Sequence, residues 1–168
     1  MATRRITDFL NGNNIKYVMT THSPAYTAQE VAAAAHVPGK QFAKAVIVRI
    51  DGELAMAVVP ATCKVDTFAL RSALRAQLVE IVEKPDIADQ FEGCQLGAMP
   101  PFGNLFGMNT YVEHDLAKCV DIAFNAGTHS DVIWMRFDDY RRLVHPKMVR
   151  MSVPVTEEEE RQICDFAI

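Results

Sequence analysis

The sequence predicts an α+β protein, and three observations carry that reading. Strand-like apolar segments outnumber helical ones, yet the two kinds are interleaved along the chain. Asp51-Gly52 separates two apolar runs, the pattern of a two-residue β-hairpin. Two Thr-x-x-Glu boxes, Thr27/Glu30 and Thr156/Glu159, each open a helix.

Taken in order, Ile6, Phe9 and Leu10 have helical spacing, and Asn11-Gly12-Asn13-Asn14 stops that helix. Residues 15–21 read as a strand with Ile15, Tyr17 and Met19 on one face. His22-Ser23-Pro24-Ala25-Tyr26 turns, and an alanine-rich helix capped by Thr27 runs to Pro38-Gly39. Residues 42–50 are apolar on both faces, as in a central strand, and 53–60 return as the second arm of the hairpin. Asp66 caps a helix to about Gln77. A strand at 78–82 and a short helix at 85–91 follow. Strands are expected at 109–113, 120–125 and 132–137, with Asn125-Ala126-Gly127-Thr128-His129-Ser130 turning between the last two. Asp138 caps a helix carrying Tyr140, Leu143 and Val144, which His145-Pro146 ends. Thr156 starts a terminal helix with Ile163, Phe166 and Ala167 on one side and a solvated Glu157-Glu158-Glu159-Glu160 run.

A length of 168 residues with 49% hydrophobic composition suits one domain with a substantial core. The net charge of −4 argues against a strongly basic DNA-binding protein and confines any RNA contact to a local patch. Four scattered cysteines, at 63, 94, 119 and 164, lack zinc spacing and read as free thiols. No apolar run reaches membrane-spanning length and no leader core is present, so the expectation is a cytoplasmic protein without a membrane partner.

The stretch least like packing is Gln95-Leu96-Gly97-Ala98-Met99-Pro100-Pro101-Phe102-Gly103. Two prolines and two glycines predict a stiff, exposed loop. Two readings fit it: an ordinary rigid turn, or a loop whose Gly97, Ala98 and Met99 amides converge on one acceptor, as an oxyanion hole requires. Lys44 is the sharpest anomaly, because alternation sets it on one face with Phe42, Val46 and Val48. It either reaches water near the strand end or meets an anionic ligand. His22 and His129 lie in turns, where a histidine can serve as acid, base or donor. Arg71 and Arg75 are four apart on a predicted helix and, with Lys40 and Lys64, can contact phosphates or simply be solvated. No Walker loop, dinucleotide fingerprint or nucleophile elbow is present.

These pieces occur in a fixed order. His22-Ser-Pro-Ala-Tyr-Thr27-Ala-Gln-Glu-Val is followed by Phe42-Ala-Lys44-Ala-Val-Ile-Val and by Lys64-Val-Asp. Gly97-Ala-Met-Pro-Pro101-Phe-Gly and Asn125-Ala-Gly127-Thr-His129 complete the series. The chain thus resembles the YbaK / prolyl-tRNA synthetase-associated editing domain family, from about Ile6 to His145. The resemblance implies a curved mixed β-sheet, partly barrel-like and surrounded by helices, as a single editing domain. Residues 147–168 form a C-terminal extension beyond the common core. It implies a trans-editing aminoacyl-tRNA deacylase, a hydrolase acting on the ester of mischarged tRNA, with tRNA(Pro) carrying a small wrong amino acid as substrate. It further implies no metal, no cofactor and no covalent nucleophile.

The family's lysine falls on Lys44, its Gly-x-x-x-Pro motif on Gly97 and Pro101, and its Gly-x-His element on Gly127 and His129. Lys44, Gly97, Ala98, Pro101 and His129 are the expected catalytic set; His22, Thr27, Met99, Phe102 and Gly127 are expected around the substrate. The expected partners are the acceptor end of the tRNA, held by Lys40, Lys64, Arg71 and Arg75, and a prolyl-tRNA synthetase. Met99 is bulky for its position and can narrow the amino-acid pocket. Two rival readings remain at this point: a non-catalytic tRNA- or synthetase-binding module, and a hydrolase of small esters or amides.

Overall fold

A computed structural model describes residues 2–25, 27–82 and 84–166. Helix α1 (Ala2–Gly12) buries Ile6 and Leu10 and leads into strand β1 (Tyr17–Thr21). Helix α2 (Ala28–Ala34) begins at the expected cap: Thr27 and Glu30 exchange side chain-to-backbone hydrogen bonds at 3.1 Å in both directions. Strands β2 (Ala43–Ile50) and β3 (Glu53–Pro60) form the hairpin. Its two turn residues, Asp51 (φ 48°) and Gly52 (φ 90°), both take the positive angles of the turn whose twist matches antiparallel strands.

Next come β4 (Cys63–Val65), α3 (Thr67–Leu74) with Asp66 as N-cap, and β5 (Val79–Ile81). A 3₁₀ helix at Lys84–Phe91 and the Gly/Pro segment precede β6 (Asn109–Glu113). Strands β7 (Asp121–Asn125) and β8 (Asp131–Arg136) form a second antiparallel pair. Helix α4 (Phe137–Val144), β9 (Lys147–Val149), β10 (Ser152–Pro154) and α5 (Glu157–Phe166) close the chain.

The expected curved, mixed architecture is present. One sheet has the order β5-β2-β3-β6-β9, with β3-β6 and β6-β9 parallel and the other neighbours antiparallel. A second, antiparallel sheet has the order β1-β8-β7. They meet through a parallel bridge between Phe42, just before β2, and Ala123 of β7. Strand β2 is splayed: its start lies against β7, while its end, Val48–Ile50, pairs with β5. That splay makes the assembly barrel-like without closing it.

Apolar burial fills both faces of the larger sheet. Ala43, Ile47, Met56 and Val58 join Phe102, Phe124 and Tyr140 in the main cluster, while Val48, Ala57 and Val59 pack under Leu70 of α3. A third cluster lies at the bridge, where Phe42, Ala123 and Val132 are covered by Val31 of α2.

Several expectations are corrected. Ile15 is buried, but Met19 is 44% exposed, because β1 is an edge strand paired only with β8. Helix α2 ends at Ala34, before Pro38-Gly39, through His36 at φ 56°. Helix α3 stops at Leu74, and Arg75 is its left-handed C-cap rather than a helical residue. Arg136, not Asp138, is the N-cap of α4; Asp138 sits in its first turn. The strands β4, β9 and β10 were not expected: three residues carry too little periodicity, and each exists only through a partner distant in sequence. Tyr26, Ala167 and the side chains of Ile163 and Phe166 lie outside the described residues.

Candidate functional site

The Gly/Pro segment is not the exposed loop that its composition suggests. Residues Ala98, Met99, Pro100, Pro101, Phe102 and Gly103 are all buried. Phe102 is fully buried and packs edge-on against Phe9, Phe124 and Tyr140 with ring centroids 5.2–6.1 Å apart. The fully buried Tyr140 donates its hydroxyl proton to the Pro101 carbonyl at 2.6 Å, and burial pushes that phenol's pKa up. The segment is therefore an inserted tongue whose C-terminal half is core. Phe102 accordingly faces packing rather than a ligand.

The N-terminal half of the tongue is locked to the turn after β7. Gln95 N–H donates to the Gly127 carbonyl at 2.8 Å, and Gly127 N–H donates to the Ala98 carbonyl at 2.9 Å. His129 completes the tie: its amide donates to Gln95 Oε1 at 2.7 Å, and its ring Nε2 meets the Leu96 carbonyl at 3.0 Å. A carbonyl only accepts, so that ring nitrogen carries the proton. Gly97 (φ 88°) and Gly127 (φ 98°) both occupy left-handed backbone, which explains glycine at each.

The expected convergence of three amides holds only in part. Ala98 N–H is used within the tongue, donating to Gln95 O at 3.0 Å. Gly97 N–H points at Met99 Sδ, 3.2 Å away, a weak acceptor that a carbonyl oxygen can displace. Met99 itself is 5% exposed and belongs to the main cluster, so its side chain braces the tongue from below.

Lys44 joins this unit through the strand bridge. From Phe42 and Ala123, two residues further along each strand and on the same face stand Lys44 and Asn125. Lys44 Nζ donates to the Cys63 carbonyl at 2.7 Å. Desolvation lowers its pKa, and Cys63 acts in the opposite direction. The lysine thus neither simply reaches water nor has an acid partner; it is a half-buried cation on a neutral carbonyl.

The segment after β1 lines the other side. His22 and Ala25 amides donate to the carbonyls of Ser130 and His129 at 2.9 and 3.3 Å. His22 Nδ1 lies 2.6 Å from Ser23 O and so carries the ring proton, while its Nε2 is buried with no hydrogen-bond partner. The Thr27 hydroxyl is occupied as the α2 cap.

The basic residues are less concentrated. Lys64 is paired with Glu159 of α5, Arg71 lies over the exposed Phe68 ring at 5.6 Å, Arg75 caps α3, and Lys40 sits in the 3₁₀ turn before β2. Among the described residues no group of His, Cys, Asp and Glu is arranged to hold a metal ion. No described helix is long and apolar enough to cross a membrane. A groove of about 410 Å³ lined by Glu53, Leu54, Gln90 and Phe106 lies at the other end of the β2–β3 hairpin and holds none of the candidates.

Sequence reasoning missed Gln95, which ties the two loops, Cys63, whose carbonyl seats Lys44, Tyr140, which anchors the tongue, and Asn125. Only Asn125 carried a local signal, a polar residue ending the apolar run Ile122-Ala123-Phe124.

The profile of the aminoacyl-tRNA editing domain family matches residues 22–143. The chain is 27% identical over 154 residues to the multifunctional Ser/Thr-tRNA deacylase ProXp-y of Escherichia coli strain K12, covering 87% of this chain and 90% of that protein. Among solved structures, one described as a trans-editing enzyme candidate for prolyl tRNA synthetase superposes with a TM-score of 0.75 at 17% identity, covering 90% of this chain and 97% of that one. A hypothetical protein of known structure superposes with a TM-score of 0.78 at 14% identity, covering 89% and 99%.

Proposed function

Because this chain belongs to the aminoacyl-tRNA editing domain family, we propose that it is a trans-editing aminoacyl-tRNA deacylase, a hydrolase of the ester that joins a wrong amino acid to tRNA. What supports the reading is the interlocking of the Gly97 and Gly127 turns, with Lys44 two residues past the strand bridge to Ala123. The substrate proposed is a small amino acid on tRNA(Pro), with serine and threonine first, since the E. coli relative is a Ser/Thr-tRNA deacylase. A prolyl-tRNA synthetase is the proposed partner. The unit of function is one editing domain, with a core of about residues 6–145 and an extension from 147 whose β9 pairs with β6 and whose β10 pairs with β4.

An aminoacyl ester is already activated, so the site needs orientation and modest oxyanion stabilisation rather than a covalent nucleophile. The ester carbonyl displaces Met99 Sδ and accepts from Gly97 N–H, with Met99 N–H as the neighbouring donor. Lys44 Nζ, already aimed by the Cys63 carbonyl, holds the terminal phosphate or ribose. Water adds to the carbonyl carbon, the tetrahedral intermediate expels the ribose oxygen, and the water's proton passes to that oxygen, with the vicinal ribose hydroxyl as relay. His129, tied to Leu96 O, fixes the shape of the tongue.

The test is a panel of Ala, Ser, Thr and Cys on tRNA(Pro) under single-turnover conditions. Hydrolysis of at least one, retained after EDTA dialysis, is expected. No hydrolysis of any, with tRNA binding intact, would leave a binding module. Equal rates on a minimal aminoacyl-adenosine would make the chain a small-ester hydrolase.

A further inference from the structure

Among the described residues at the site, Asn125 Oδ1, like His22 Nε2, is a buried polar atom without a hydrogen-bond partner. Asn125 as a whole is 7% exposed. The three residues before it in the strand, Ile122, Ala123 and Phe124, are apolar and 0–1% exposed. An unpaired buried acceptor costs roughly 1–3 kcal/mol, and native proteins satisfy nearly all such groups. Asn125 stands on the same face as Ala123, whose bridge to Phe42 brings Lys44 alongside, and two residues before Gly127. Asn125 therefore borders the interlocked turns around which the aminoacyl ester is proposed to lie.

The chemistry of the missing partner follows from the carboxamide. It is neutral and offers both an acceptor and a donor. A hydroxyl both donates and accepts, and matches it. An ammonium group matches poorly, because it donates only and leaves the carboxamide N–H donors unmet. We propose that Asn125 is the receptor for the side-chain hydroxyl of the amino acid being removed, which makes the site select serine and threonine over alanine. The inference rests on the deacylase reading and extends it to specificity. An apolar pocket distinguishes such side chains weakly, whereas a site built to hydrogen-bond a hydroxyl rejects its absence, because the protein group is then left unpaired.

The experiment is single-turnover deacylation of Ser-, Thr- and Ala-tRNA(Pro) by the wild type, Asn125→Leu, which has a similar shape, and Asn125→Ala, each checked for folding by circular dichroism. The wild type is expected to prefer serine and threonine. In Asn125→Leu the Ser/Ala rate ratio should fall about tenfold to a hundredfold, the equivalent of one buried hydrogen bond. Asn125→Ala should shift the ratio the same way and decides the matter if leucine is not accommodated. Equal losses on all three substrates, an unchanged ratio, or a wild-type preference for alanine would overturn the inference while leaving the deacylase reading in place. A wild type inactive on every substrate would overturn both.

Discussion

Burial makes the charged form of Lys44 costly to the fold that holds it. Its pKa is depressed by desolvation below 10.5, so the unfolded chain binds the proton more readily. The penalty is full at low and neutral pH and fades as pH rises through the folded value toward 10.5. Lys44→Met should therefore melt no lower than wild type at pH 7, its advantage should shrink toward pH 10.5, and deacylation should be lost. Melting curves across pH with a parallel rate assay check both; full activity in the folded variant would remove Lys44 from the chemistry. At Gly97 the physics differs. A Cβ at φ 88° is strained by roughly 1–2 kcal/mol, and the shift moves the amide proposed as the oxyanion donor. Gly97→Ala should lose about a hundredfold in kcat with little change in KM. A wild-type rate would return the tongue to the role of a rigid turn. Met99→Ala, by contrast, removes a core side chain, and its first effect should be a stability loss of about 2–5 kcal/mol.

Two elements are held in place by a few identifiable contacts. The tongue is held by the Tyr140 hydroxyl on Pro101 O, and Tyr140→Phe leaves that buried carbonyl without its donor. The expected cost is about 1–3 kcal/mol, a drop of several degrees in melting temperature for a domain of this size. The segment from residue 147 is held by β9 on β6, by β10 on β4, by Val155 N–H on Thr62 O at 2.9 Å, and by the Lys64–Glu159 pair. Lys64 and the Thr156 cap hold the Glu159 carboxylate down to about 2, below its ordinary 4.5. A depressed carboxylate stabilises above its unfolded value and loses that effect as pH falls through the folded one. Docking of α5 should thus weaken between about pH 4.5 and 2. Limited proteolysis should show the extension cut first in that window, and earlier in Glu159→Gln.

Across the whole molecule the charge is −4, so tRNA must be met by a local basic surface. Lys64 is already paired, and Arg71 and Arg75 flank the end of α3 beside the 69%-exposed Phe68. The Arg71→Glu/Arg75→Glu protein should bind tRNA more weakly, with a shallower salt dependence, and melt only slightly lower, since two acids replace a cation–π contact and basic residues at the end of α3. Unchanged affinity over a salt series would take α3 out of the interface.

What the sequence determined by itself is local or periodic. The Thr27 and Thr156 boxes, the Asp51-Gly52 hairpin, the apolar strands around it and the misplaced charge of Lys44 each need only a few neighbouring residues to be read. The ordered motifs carried the family. The tertiary structure alone decided what depends on distant partners. Strands β4, β9 and β10 exist because another segment supplies their hydrogen bonds. Pro100 and Pro101 look like loop residues, yet they are buried because Tyr140 and the aromatic cluster receive them. Gln95 is an ordinary polar residue until His129, 34 positions away, donates to it. The open acceptor of Asn125 is likewise a property of packing: a sequence names a polar side chain, but only the folded surroundings show whether anything is left to satisfy it.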